Sequence, residues 1–118
     1  MKKVSKVLVG ILLFGSLFFG ISQIEANAAV QTNMTPTQFT KKTYEYQTIT
    51  IGTNVGGRAE FRFNKGDGSA TKTKLGSYSV SFREYWTKSD TYNYWGRVIS
   101  ENYGPGPTRY GKATIRIQ

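Results

Sequence analysis

Ser77-Tyr78-Ser79-Val80-Ser81-Phe82-Arg83-Glu84-Tyr85-Trp86-Thr87 is the stretch that decides the fold. Tyr78, Val80, Phe82 and Trp86 recur at every second position, and Ser77, Ser79, Ser81, Arg83 and Tyr85 fill the positions between. An extended backbone sends successive side chains to opposite sides, so this period belongs to a strand with one dry and one wet face. Only Glu84 interrupts the apolar set. From Thr43 to the C-terminus no stretch carries the 3.6-residue period of an amphipathic helix.

The same alternation spreads outward in both directions. Upstream, Tyr44 to Ile51 is rich in β-branched and aromatic residues and ends at Gly52, and Ala59-Glu60-Phe61-Arg62-Phe63 alternates apolar with charged. Lys65-Gly66-Asp67-Gly68 reads as a hairpin connection, because Asp-Gly tolerates the positive φ of tight β-turns. Ala70 to Leu75 is a weaker Thr/Lys-rich strand whose Lys72 and Lys74 suit a sheet edge. Downstream, Thr87-Lys88-Ser89-Asp90 turns the chain into a strand over Tyr92 to Ser100. Gly104-Pro105-Gly106-Pro107 stops any regular element, and Tyr110 to Ile117 places Ala113, Ile115 and Ile117 inward. The expectation is an all-β domain over residues 43–118: a single small antiparallel β-sandwich or barrel of about six short strands.

Residues 1–28 carry the marks of a secretory signal peptide. Lys2, Lys3 and Lys6 precede an apolar run from Val7 to Ile21, and Ala26-Asn27-Ala28 supplies the small-x-small pattern of a cleavage site. Cleavage after Ala28 releases an extracellular product, and the lysine-rich signal with no cysteine suits a Gram-positive secreted protein. Residues 29–42 are polar, Thr- and Gln-rich, and read as a flexible lead. Without Cys or His, neither disulfides nor structural zinc can support the domain, so packing alone must hold it.

That composition also bounds the chemistry. The usual general base and the strongest nucleophile are both missing, so the chain is not expected to be an enzyme. Glu84 and Glu101 could form a glycosidase-type pair only if their strands lie side by side. Asn64-Lys65-Gly66-Asp67-Gly68-Ser69 lacks the spaced carboxylates of a calcium loop, and no metal or cofactor is expected. Of the 16 Lys and Arg, Lys2, Lys3 and Lys6 lie in the signal, and of the seven acids only Glu25 does. Thirteen cations against six acids leave the exported part at +7. Such an excess favours an anionic partner, a cell envelope or membrane surface above all, and export argues against nucleic acid.

The functional stretch is Phe82 to Tyr103, read as a hairpin with aromatic residues on both faces. Tyr85, Trp86, Tyr92, Tyr94 and Trp95 would supply interfacial contact, and Arg83, Lys88 and Arg97 would attract anionic groups. Ser81-Phe82-Arg83-Glu84-Tyr85-Trp86, Lys88-Ser89-Asp90 and Tyr94-Trp95-Gly96-Arg97-Val98 together resemble the LCI-type antimicrobial peptides of bacilli, which are exported, disulfide-free and cationic. The resemblance implies a secreted, non-enzymatic, bacteriocin-like factor acting at an anionic bacterial surface. The alternative is an extracellular binding module or inhibitor that docks a protein or polysaccharide through the same hairpin.

Overall fold

Strands with an apolar residue at every second position each have one face that must be covered, and two such faces cover one another. In the computed structural model, which describes residues 29–118, they do so as two packed sheets. The signal segment and cleavage site expected from the sequence lie outside the described residues. The strands are β1 (Thr32–Thr35), β2 (Gln38–Lys42), β3 (Gln47–Thr53), β4 (Arg58–Asn64), β5 (Lys72–Ser77), β6 (Ser79–Glu84), β7 (Asp90–Ser100), β8 (Gly104–Pro105) and β9 (Arg109–Arg116). The large sheet runs β2-β9-β7-β4-β5, with β8 attached to β7, and the small sheet runs β1-β3-β6. The β-sandwich expected from the alternation is the observed architecture. All pairings are antiparallel except β2 with β9.

The core lies between the sheets. The large sheet contributes Phe61, Phe63, Tyr94, Val98, Ala113 and Ile115, and Ile49, Ile51, Phe82 and Met34 face them from the small sheet. Phe63 stacks on Phe82 across the gap at 5.3 Å between ring centroids. Each large apolar side chain among them contributes about 1.5–3 kcal/mol by leaving water, which is how a disulfide-free domain of this size stays folded.

Three sequence expectations change here. The lead is not flexible along residues 29–42. Val30, Thr32 and Met34 alternate into the core, β1 and β2 are regular strands, and the chain changes sheet between them at the cis Thr35-Pro36 peptide. Phe39 anchors β2 by packing 5.5 Å from both Trp86 and Tyr94. Sparse apolar residues among threonines hid this alternation.

The stretch from Ser77 to Thr87 is not one strand. Tyr78 takes a φ of 69° and lies 60% exposed, breaking the run at a corner. Before it, β5 belongs to the large sheet; after it, β6 belongs to the small one. Bent corners of this kind are how a strand passes between layers of a sandwich.

Finally, residues 82–103 do not form a hairpin. β6 pairs with β3, whereas β7 pairs with β4 and β9, so the Thr87–Asp90 turn is an arch from one sheet to the other. The reason is the doubly aromatic sequence itself. Side by side in one sheet, the two strands would leave one ring-covered face wet. Across an arch their inner faces oppose one another, and Trp86 meets Tyr92 with 6.3 Å between centroids.

The edges match the expectation for Lys72 and Lys74. β5 ends the large sheet, and its lysines reach over the open side of the sandwich. Lys72 Nζ pairs with Glu84 at 2.8 Å, and Lys74 Nζ donates to the Ser81 carbonyl at 2.6 Å while lying over the Phe82 ring. These cations close the core laterally and discourage another strand from adding there.

Candidate functional site

The expected binding residues do not form one surface. Trp86 and Tyr94 are fully buried. The Trp86 indole N–H donates to the Lys65 carbonyl at 3.2 Å, and the Tyr94 hydroxyl donates to the Pro36 carbonyl. Neither ring can meet a ligand, which corrects their placement in the site; Trp86 packs on Phe39 and Tyr92, and Tyr94 packs between Phe39 and Phe63. Tyr92 is half-buried and donates its hydroxyl to the Lys88 carbonyl at 2.8 Å, tying the arch to β7. Lys88 is exposed on that arch. Arg83 and Tyr85 lie at one end of the small sheet, and Trp95 and Arg97 lie on the outer face of the large sheet.

That outer face is built by register. Residues of β4 and β7 that point away from the core are Arg58, Glu60, Arg62 and Asn64, and Asn93, Trp95, Arg97 and Ile99. Cross-strand partners follow: Arg62 lies opposite Arg97, Asn64 opposite Trp95, and Trp95 opposite Tyr110 of β9. Further along, Arg116 of β9 lies opposite Lys42 of β2. Glu60 is the only outward carboxylate on the strands of this sheet, and its Oε2 accepts from Arg62 Nε at 3.1 Å. Arg97 Nε donates to the Gly106 carbonyl at 3.1 Å, which holds the side chain along the sheet. Like charges placed directly opposite each other destabilise a sheet. This face has two such pairs, with partly buried Trp95 and 68% exposed Tyr110 in the row beside one of them.

A second aromatic group lies where the β2–β3 connection meets the arch. Tyr85 contacts Tyr46 and Tyr44, at 5.1 and 5.9 Å between centroids. The Arg83 guanidinium lies 3.8 Å from the Tyr46 centroid, and Lys65 Nζ lies 5.5 Å from that of Tyr85. Tyr44 and Tyr46 are 59% and 47% exposed.

The chain shares its fold with known domains. Its structure is similar to the PKD domain of an M14-like peptidase from Thermoplasmatales archaeon SCGC AB-540-F20, with a TM-score of 0.60 and 20% identity. The alignment covers 77% of this chain and 99% of that domain. The likeness is one of fold. It overturns the resemblance to LCI-type peptides, whose carrying residues, 81–98, are here divided between two sheets of a larger sandwich. No protein-family model matches the chain, and no curated protein matches it in sequence.

The acids are dispersed rather than paired for chemistry. Glu84 is bound to Lys72 beside the arch, and Glu101 follows β7 at the opposite end, so the two never face each other. Asp67 sits in its turn with Lys65 at 3.4 Å. Partial burial of its carboxyl works against ionisation, but hydrogen bonds from the Ser69 hydroxyl and N–H and the Lys65 charge outweigh it and hold the pKa below the ordinary value. Among the described residues no three of His, Cys, Asp and Glu come together as metal ligands would.

Sequence reasoning missed Arg62, Tyr110, Tyr44 and Tyr46. The alternation assigned Arg62 to a wet face, but only the register shows that Arg97 lies opposite. Tyr44 and Tyr46 stood in an expected strand that instead begins at Gln47.

Proposed function

We propose that the chain is an extracellular, non-catalytic binding module that holds an anionic envelope polymer on the outer face of its large sheet. The observation that carries this reading is the cation-over-cation register, Arg62 against Arg97 and Arg116 against Lys42, on a face whose strands carry one outward carboxylate, Glu60, with Glu101 beside it just past the end of β7. A repeating anion laid along the strands would relieve both repulsions at once, and the Trp95 and Tyr110 rings offer apolar area between charged contacts. The signal-like residues 1–28 support export, and the chain's lack of Cys and His supports a non-catalytic role.

This favours a binding module over a bacteriocin-like agent. An aromatic surface that settles into lipid would need the rings of Trp86 and Tyr94, and both are core. The test is co-sedimentation of the purified protein with a poly(glycerol phosphate) teichoic acid over a salt series. Binding should weaken steeply as salt screens the attraction, and the Arg62→Gln, Arg97→Gln double variant should bind about tenfold or more weakly, a loss of about 1.4 kcal/mol or more. Salt-independent binding, or full binding by the double variant, would remove the reading.

A further inference from the structure

We infer that Arg83, with Tyr44, Tyr46 and Tyr85, forms a separate subsite for a carboxylated sugar ring. The inference goes beyond the proposed polymer-binding face, since it uses the small-sheet end and shares no residue with the outer face.

Arg83 has no ion-pair partner among the described residues. The nearby carboxylates are committed elsewhere: Glu84 to Lys72, Asp67 to Lys65 and Ser69, and Glu45 to the backbone N–H of Lys42. With its guanidinium carbon 3.8 Å from the Tyr46 centroid, Arg83 is held against a ring while its N–H groups, which donate in the guanidinium plane, stay open to solvent. A held guanidinium matches the two oxygens of a carboxylate, and it loses little freedom on pairing.

The ring surface beside it supplies the second half of the recognition. Tyr85 touches both Tyr44, tilted against it, and Tyr46, edge-on to it, and these two rings keep about half their area in water. Tyr44 holds its position through a backbone with φ of 66° and a hydrogen bond from its N–H to the Trp86 carbonyl at 2.9 Å. A pyranose has apolar C–H faces that pack on such rings, and a carboxyl on the same pyranose would reach the cation. The ligand that satisfies both features is a uronate. An acyclic carboxylate lacks the ring, and a neutral sugar lacks the charge.

The experiment is an NMR titration of the full folded protein with digalacturonate, cellobiose and acetate, following the aromatic signals of Tyr44, Tyr46 and Tyr85 and the Arg83 side chain. Digalacturonate should shift all four saturably, with cellobiose and acetate each binding about tenfold or more weakly. Arg83→Gln and Arg83→Lys should both lose binding while the core signals of Trp86 and Tyr94 stay in place, because a lysine has no fork. Trp95→Ala should leave it intact. Equal shifts with cellobiose or acetate, retained affinity in Arg83→Lys, or digalacturonate shifts confined to Trp95 would overturn the inference, and the last result would leave the outer-face reading standing.

Discussion

Tyr94 shows at the scale of one residue how a polar aromatic is made part of a core. Its ring is sealed, its hydroxyl reaches the Pro36 carbonyl, and burial pushes its pKa up to about 12. In the unfolded chain the same phenol ionises near 10, so above that pH the unfolded state releases its proton first. The stability Tyr94 confers is therefore complete below pH 10 and is lost as pH rises towards 12. Denaturant midpoints measured from pH 8 to 12 should fall along this limb. Tyr94→Phe should cost about 1 kcal/mol near neutrality through the lost hydrogen bond, and it should flatten the alkaline fall. Trp86 is the other residue whose role differs from its sequence reading. Its truncation to Ala should destabilise the fold by about 3–5 kcal/mol, measured by urea unfolding, because it fills the space under the arch between Phe39 and Tyr92.

Among the elements, the β4–β5 connection is the tightest fit. Gly66 has a φ of 78°, and a Cβ added there would lie 2.1 Å from the Asn93 carbonyl oxygen of β7. Backbone cannot give way as a side chain can. Gly66→Ala should therefore lower the unfolding free energy by more than the roughly 1 kcal/mol of a simple left-handed penalty, whereas Gly68→Ala, with open space around it, should show that penalty alone. The Lys65–Gly68 turn was legible in the sequence because Asp-Gly states its own backbone geometry. β4 and β9 were legible too, since their alternation is uninterrupted by any change of layer. The run from Ser77 to Thr87 misled because alternation records which side is dry and says nothing of which sheet a strand has joined. A corner at Tyr78 leaves the period almost intact, and an arch and a hairpin can use the same Lys-Ser-Asp turn. β1 and β2 were missed for a different reason: Thr32 is buried as a polar residue, its hydroxyl accepting from the Val98 N–H at 3.3 Å, so the strand carries little hydrophobic signal.

For the molecule as a whole, the sandwich separates a ring-filled interior from a charged exterior, and the exterior is uneven. The outer face of the large sheet gathers Arg58, Arg62, Arg97, Lys112, Arg116 and Lys42 around Trp95 and Tyr110. Such a face costs stability in the free protein, a cost that a bound anion would offset. The free protein should accordingly gain stability when salt rises modestly, with the melting temperature increasing as the like-charge pairs are screened. The candidate site was only partly legible for the same reason. Trp95 and Arg97 are adjacent but one in the reading frame of β7, whereas their partners Tyr110 and Arg62 come from strands on either side, and no sequence spacing records that.

The most direct measurement uses Trp86→Phe, which leaves Trp95 as the sole indole, and follows iodide quenching of its emission with and without poly(glycerol phosphate) teichoic acid. Trp95 should be quenched in the free protein and shielded when the polymer is present at low salt, with the shielding lost at high salt. An indole that iodide cannot reach, or whose quenching the polymer leaves unchanged, would contradict the assignment of the large sheet's outer face as the binding surface.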